Sequence, residues 1–117
     1  MFYKTIEEFK DIITKFSVSK YKKDDFGILI VAKVEFIDGS FLHIKDYLFF
    51  DGKRKYSYNW QDKNGNLISR WDNSPHHKDI TTFPHHRHLK DKVIPSKEHN
   101  IMDIFKVIKT FIIIEKH

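Results

Sequence analysis

Residues 26–50 read FGILIVAKVEFIDGSFLHIKDYLFF and predict the centre of the fold. Apolar residues alternate with other residues on both sides of Asp38-Gly39-Ser40, as expected for two half-buried antiparallel strands joined by a tight turn. We therefore predict one strand over residues 26–37 and a second over 41–50, with the glycine or the serine of the turn in the left-handed conformation.

The side chains of this hairpin also predict its register. A three-residue turn pairs Val34 with Ile44 and keeps apolar side chains opposite one another, whereas a two-residue turn mixes the two faces. The same register places Asp46 on the apolar face, opposite Ala32. A carboxylate in that position is costly unless it is paired or used in chemistry, and we expect Arg70 or a loop histidine to pair with it.

Two further strands are predicted after the hairpin, over residues 54–61 and 67–71. Asn64-Gly65, which lies between them, is the strongest hairpin signal in the chain. The next stretch, residues 72–96, has little periodicity and contains all three prolines, so we predict a long loop. A loop of this length in a compact domain is usually functional or mobile.

Helices are predicted at both ends of the chain. A capping box and an apolar stripe predict a helix from Thr5 to about Lys15, followed by a polar loop over residues 18–25. A second apolar stripe predicts a closing helix from Ser96 to about Glu115. The sequence thus predicts a single α+β domain of 117 residues. Its architecture is a four-stranded antiparallel β-meander with N-terminal and C-terminal helices and a long histidine-rich loop.

The composition narrows the classes of function. Lysine and arginine number 21 against 16 acidic residues, which gives a net charge of +5. That excess favours nucleic acid or an acidic protein as partner, although a lysine-rich proteome would give the same balance. The absence of cysteine excludes disulfides and thiolate sites and favours the cytoplasm. We expect no membrane association, because no apolar run is long enough to cross a bilayer and the N-terminus lacks a signal-peptide pattern.

The strongest functional signal lies in residues 70–88, which read RWDNSPHHKDITTFPHHRH. Histidine is the side chain whose ordinary pKa lies nearest neutrality, so it suits both proton transfer and metal ligation. Pro75 and Pro84 each precede a histidine pair and limit where the imidazoles can point. We predict that at least two imidazoles of these pairs converge on one cleft near Arg70. Five of the eight histidines lie in this segment: His76, His77, His85, His86 and His88.

Three uses of these histidines stay open. One imidazole can remove the 2′-hydroxyl proton of RNA while another protonates the leaving oxygen, which cleaves RNA without a metal. A divalent metal is the second use, but the histidine spacing matches no zinc motif, and we predict no cofactor. The third use is structural, with imidazoles capping turns and bonding to carbonyl groups.

The charged residues near the histidines have matching candidate roles. Arg70 and Arg87 could hold phosphate, because guanidinium groups stabilise the charge that develops on a transferring phosphoryl group. Asp46 or Asp72 could orient an imidazole. The alternative for each arginine is an ordinary salt bridge, for example between Arg70 and Asp72. The aromatic side chains of the third strand are expected to pack in the core rather than stack on bases.

Five short motifs occur in order between about residues 34 and 96. They are a hydrophobic-Asp-Gly-Ser hairpin, a Tyr-x-Tyr strand, Arg-Trp-Asp-Asn, Pro-His-His and a final His-His-x-His. In order and spacing they resemble the TumE family, toxins of bacterial and archaeal type II toxin–antitoxin systems. Asp46 stands where that family has a glutamate. The resemblance implies a small toxin with a cognate antitoxin and leaves the reaction open.

The residues and the resemblance together predict a TumE-like toxin that acts on RNA as a ribonuclease. The loop histidines would supply the acid and the base, and the expected partners are RNA and a cognate antitoxin. Self-association stays open. Two other classes of function also stay open, namely a non-catalytic module that binds nucleic acid or protein, and a metal-dependent hydrolase.

Overall fold

A computed structural model describes residues 1–115 of the chain. It contains one antiparallel sheet of seven strands, which lie side by side in chain order. The strands are β1 (Ile13–Lys23), β2 (Gly27–Phe36), β3 (Phe41–Phe49), β4 (Arg54–Gln61), β5 (Leu67–Asp72), β6 (His86–Leu89) and β7 (Lys92–Pro95). The helices are α1 (Phe2–Glu8) and α2 (Ile101–Glu115), and a 3₁₀ turn (Lys10–Ile12) connects α1 to β1.

The predicted four-stranded meander is therefore wrong, and the first error lies at the N-terminus. The first helix ends at Glu8 instead of about Lys15, and most of the predicted helix end and polar loop forms β1. Nine of the eleven β1 residues are exposed, and the strand forms one edge of the sheet. Lysines on an exposed edge strand hinder pairing with other chains, and they also hide the strand pattern in the sequence.

The second error lies in residues 72–96, which were predicted to be one long loop. Strands β6 and β7 occupy much of the second half of this stretch, and β6 pairs with β5. Each of these strands has only four residues, too few for an alternating pattern to stand out. The closing helix begins at Ile101 instead of Ser96.

The central hairpin has the predicted loop length but a different register. Its three-residue loop ends at Gly39, which takes the left-handed conformation with φ of +86°. Val34 pairs with Leu42 instead of Ile44, and Asp46 lies opposite Ile30 instead of Ala32. A shift of two residues keeps every side chain on its face, so apolar segregation alone could not separate the two registers.

The two helices pack against one face of the sheet and form the core with it. Phe105 of α2 packs edge-on against Phe9 and against Phe36 of β2, and Phe111 packs against Trp60 of β4. The aromatic residues of β4 are buried on this face, as predicted. The opposite side of the sheet is called the open face below. On β2, β3 and β4, every open-face side chain is exposed or half-buried.

Candidate functional site

Strands β5 and β6 bring four of the candidate residues together on the open face. Asp72 pairs directly with His86, and Arg70 pairs directly with His88. These four side chains share one face because the two residues on β5, and likewise the two on β6, are separated by a single residue. Trp71, the residue between Arg70 and Asp72, is buried on the core side.

Asp72 is at the centre of this group. Its Oδ2 atom lies 3.0 Å from Nε of Arg70 and 3.4 Å from Nε2 of His88, and its Oδ1 atom lies 2.8 Å from Nε2 of His86. One buried carboxylate thus contacts two imidazoles and a guanidinium group.

His77 joins the group from the segment between β5 and β6. Its ring centre lies 4.7 Å from that of His86 and 5.4 Å from that of His88. One nitrogen from each of the three rings lies within 4.8 Å of the others. We call Arg70, Asp72, His77, His86 and His88 the histidine cluster.

The carboxylate of the cluster is held in its ionised form. Both the backbone amide and the hydroxyl of Ser74 donate to Oδ1 of Asp72, at 3.1 and 2.8 Å. Burial alone would raise the pKa of Asp72, but these hydrogen bonds and the charges of His86 and Arg70 outweigh it and lower the pKa. The sequence Asp72-Asn73-Ser74 therefore forms the Asx-type turn that such a pattern predicts.

Hydrogen bonds also fix which nitrogens of two histidines carry protons. Nδ1 of His86 lies 2.9 Å from the carbonyl oxygen of Pro84, so Nδ1 donates. Nε2 of His86 has no partner in hydrogen-bonding geometry among the described residues, although it lies close to Asp72. Nε2 of His88 accepts from the Arg70 guanidinium at 3.1 Å, because arginine can only donate.

The protonation of His88 follows from its surroundings. Burial lowers the pKa of His88, and the positive charge of Arg70 lowers it further. The ring is therefore mainly neutral near pH 7, and the lone pair on its Nε2 accepts the hydrogen bond from Arg70.

The members of the cluster differ in accessibility. The side chain of Arg70 is 40% exposed and that of His88 is 17% exposed, whereas His86 is only 1% exposed. His77 is half-buried. A bound molecule can thus reach Arg70, His77 and His88 directly, while Asp72 and His86 lie beneath them.

Four predicted site residues lie outside the cluster. His76 is exposed next to His77 in sequence, and no ion pair or hydrogen bond joins its side chain to another described residue. Arg87 lies on the core side of β6, where its guanidinium stacks on Trp71 and its Nε donates to Ser69 at 2.7 Å. The other two, His85 and Asp46, belong to a second group of charged residues.

The second group is centred on Arg54 and lies on the core side of the sheet. Arg54 contacts Asp46 at 3.0 Å and Glu98 at 2.9 Å, and it donates to the hydroxyl of Tyr58 at 2.8 Å. Tyr58 in turn donates to Asp46 at 2.5 Å. We call Asp46, Arg54, Tyr58 and Glu98 the Arg54 cluster. The prediction that Asp46 has a partner is confirmed, but the predicted partner, Arg70 or a loop histidine, was wrong, because Arg54 and Tyr58 pair with it.

His85 lies at the border of the Arg54 cluster. Its Nδ1 atom is 2.9 Å from the hydroxyl of Tyr56, and its Nε2 atom is 3.6 Å from Glu98. The structure thus separates the five predicted histidines into three in the histidine cluster, one beside the Arg54 cluster and one on the surface. The sequence analysis missed Arg54 and Ser74. For Arg54 a signal was present, since the predicted strands place it on the same face of the sheet as Asp46.

The histidine cluster also fits a divalent metal in its chemistry. Three imidazoles next to one carboxylate are a suitable donor set for zinc. Tetrahedral zinc with bonds of about 2.1 Å needs nitrogens about 3.4 Å apart, so the three rings would have to close slightly around an ion. Nε2 of His86, which lies 2.8 Å from Asp72 without hydrogen-bonding geometry, would be one of the ligands.

The fold and this cluster define a small, mainly β protein with a site suited to acid–base or metal chemistry. The family model described as Toxin TumE matches residues 2–116. The chain therefore belongs to the TumE family, as the motifs predicted, and is a toxin of a toxin–antitoxin system whose family implies a cognate antitoxin. Searches of curated proteins and of solved structures each gave no significant match. No helix among the described residues is long and apolar enough to cross a membrane.

Proposed function

We propose that the toxin cleaves RNA at the histidine cluster by acid–base catalysis. The observation that carries this proposal is the convergence of three imidazoles and one arginine around the buried carboxylate of Asp72. Two imidazoles within reach of one phosphodiester are sufficient for RNA cleavage, since the reaction needs one base and one acid.

The accessible members of the cluster have distinct roles in this proposal. His88 is the base, because its neutral ring accepts the 2′-hydroxyl proton. His77, in its protonated form, is the acid that donates a proton to the departing 5′-oxygen. The 2′-oxygen forms a bond to phosphorus as the bond from phosphorus to the 5′-oxygen breaks. The products are a 2′,3′-cyclic phosphate and a 5′-hydroxyl end.

Arg70 stabilises the negative charge that develops on the phosphoryl oxygens. In the free protein its guanidinium group donates to His88, and a bound phosphate would compete for that donor and release the lone pair of the imidazole. Asp72 and His86 act as positioning residues, because they lie beneath the accessible side chains and contact both Arg70 and His88.

Alanine substitutions of neighbouring histidines test the proposal. We expect His77→Ala and His88→Ala each to lower the rate of cleavage of a single-stranded oligoribonucleotide about a hundredfold or more. His76→Ala is the matched control, since it removes an adjacent imidazole outside the cluster, and it should retain the wild-type rate. Equal rates for all three variants, each confirmed to be folded by circular dichroism, would refute acid–base catalysis at this cluster.

A metal-dependent hydrolase is the second candidate, favoured by the three histidine nitrogens within 4.8 Å of one another. In that case His77, His86 and His88 would bind the ion, and the ion would supply an activated water. Titration of the chelated protein with zinc distinguishes the two candidates. Stoichiometric binding that His86→Gln abolishes, together with activity only in the loaded protein, would favour the metal.

A further inference from the structure

The open face carries two continuous rows of side chains that end in the histidine cluster. Direct cross-strand pairing places the first row in the order Lys33, His43, Asn59, Arg70 and His88. Side chains that pair directly across antiparallel strands lie on the same face and touch or nearly touch. The row crosses five strands and connects β2 to the candidate catalytic residues.

The second row lies beside the first. It runs through Lys45, Ser57, Asp72 and His86. A pocket of about 230 Å³ opens next to this row and is lined by both Lys45 and Lys55 together with Asp72. The pocket thus joins a positively charged part of the sheet to the carboxylate at the centre of the cluster.

Positive charge dominates this part of the open face. Strand pairing places six lysines on the same side of β1 to β4: Lys15, Lys20, Lys22, Lys33, Lys45 and Lys55. Glu35 faces them and already contacts Lys15 at 3.3 Å and Lys33 at 3.8 Å. Asp24 bonds to the hydroxyl of Tyr47 at 2.9 Å and to two backbone amides. Lysine charge on this surface therefore greatly exceeds acidic charge.

Aromatic rings lie between these lysines. The ring of His43 is exposed and sits edge-on to Phe41, whose own face lies under the Lys33 ammonium. Partial desolvation lowers the pKa of His43, and the charge of Lys33 lowers it further, so that at neutral pH the ring is mainly an uncharged surface for stacking. Lysines around exposed rings on an open antiparallel sheet are the features that bind unpaired nucleotides.

We propose that the open face is a binding site for single-stranded RNA, in which Lys33, Lys45 and Lys55 contact phosphates and His43 stacks on a base. The two rows guide the RNA from β2 towards the histidine cluster. His43 and His88 are three β-strand spacings apart, which is about 14 Å. A duplex could not present its bases to His43, so the site selects unpaired RNA. This inference rests on the proposed function, because it assigns the substrate of the same cluster.

The experiment measures binding without cleavage. The probe is a fluorescent 2′-O-methyl oligoribonucleotide of about 12 nucleotides, within the range of single-strand sites, and its binding is followed by fluorescence anisotropy. The test protein carries both Lys45→Glu and Lys55→Glu. The control carries both Lys4→Glu and Lys106→Glu, which change the net charge equally at exposed positions on the two helices.

We expect the Lys45/Lys55 variant to bind at least about tenfold more weakly at moderate salt, with little change for the control. The slope of log affinity against log salt should also fall by about 0.7 for each phosphate contact that is lost. His43→Ala should weaken binding about fivefold or more through the loss of one stacked base. Equal weakening in the test and control variants, or equal affinity for a duplex of the same length, would overturn the proposal.

Three further outcomes separate this inference from the proposed function. In the first outcome, the wild type binds the probe, loses that binding with Lys45→Glu and Lys55→Glu, and yet does not cleave unmodified RNA. This outcome supports the RNA-binding surface and contradicts the ribonuclease proposal. Cleavage by the wild type with unchanged binding in the variants overturns the surface alone. The third outcome is that the wild type does not bind the probe and the Lys45/Lys55 variant no longer binds the antitoxin. That result would overturn the RNA-binding surface in favour of an antitoxin interface.

Discussion

Replacing Asp46 with alanine should destabilise the toxin without removing its site. The carboxylate of Asp46 accepts hydrogen bonds from the hydroxyl of Tyr58 at 2.5 Å and from Arg54 at 3.0 Å. Tyr58 is fully buried, and the side chains of Asp46 and Arg54 are 21% and 15% exposed. The substitution would therefore leave a buried hydroxyl without its acceptor and a poorly hydrated guanidinium with one partner fewer.

The magnitude follows from these contacts. Removing one partner from a fully buried ion pair costs about 3–5 kcal/mol. Two features reduce that figure here, namely the partial exposure of the pair and the remaining contact between Arg54 and Glu98. We expect Asp46→Ala to lower the free energy of unfolding by about 2–4 kcal/mol. For a domain of this size, that loss corresponds to a decrease in Tm of about 8–16 °C.

Urea unfolding followed by tryptophan fluorescence measures this loss, with Asp25→Ala as the control. Asp25 is exposed, so its substitution should change stability by less than about 0.5 kcal/mol. When both proteins are assayed at a temperature 20 °C below the Tm of the Asp46 variant, the variant should cleave RNA at close to the wild-type rate. Wild-type stability in the Asp46 variant, or loss of cleavage while it remains folded, would refute a structural role for the Arg54 cluster.

Three further predictions concern other parts of the fold. Because the pKa of Asp72 is lowered in the folded state, its stabilising contribution is complete above its unfolded pKa of about 3.9 and disappears as the pH falls through the folded value. The difference in urea stability between wild type and Asp72→Asn should therefore narrow as the pH decreases below about 4; a constant difference would contradict this. Gly27→Ala would place a methyl group in steric conflict with the carbonyl oxygen of Leu48, so it should cost about 3 kcal/mol in the same measurement. Arg87→Ala should lower stability by about 1–2 kcal/mol through lost contacts with Trp71, yet leave RNA affinity unchanged in anisotropy titrations.

The parts of the fold that the sequence predicted are those whose local pattern agrees with their environment. Strand β4 alternates and the closing helix repeats as one-sided burial requires, and the packing of the aromatic residues of β4 in the core was predicted correctly. Strand β1 was missed because it forms by pairing with the edge of β2, which is a tertiary property. Its own residues show more lysine than apolar alternation.

At least two imidazoles from the Pro75 and Pro84 pairs were predicted to converge near Arg70, and His77 and His86 do converge there; the partner of each imidazole in the cluster was not predicted. The sequence identified all three converging histidines but gave no reason to prefer His86 and His88 over His85. That choice depends on β6: alternation along this strand puts His86 and His88 on the open face and turns Arg87 to the core side. Once β6 is placed beside β5, the partnership of Asp72 with His86 follows from strand pairing alone.

Analysis of the ends produced from single-stranded RNA in the presence of a chelator tests the ribonuclease proposal most directly. Purified toxin in excess EDTA should still cleave, with a bell-shaped pH dependence, and should leave 2′,3′-cyclic phosphate and 5′-hydroxyl ends that mass spectrometry can identify. The rate should fall about a hundredfold or more in His88→Ala. Cleavage that stops on chelation and returns with zinc, or intact RNA at every pH, would contradict acid–base catalysis by the histidine cluster.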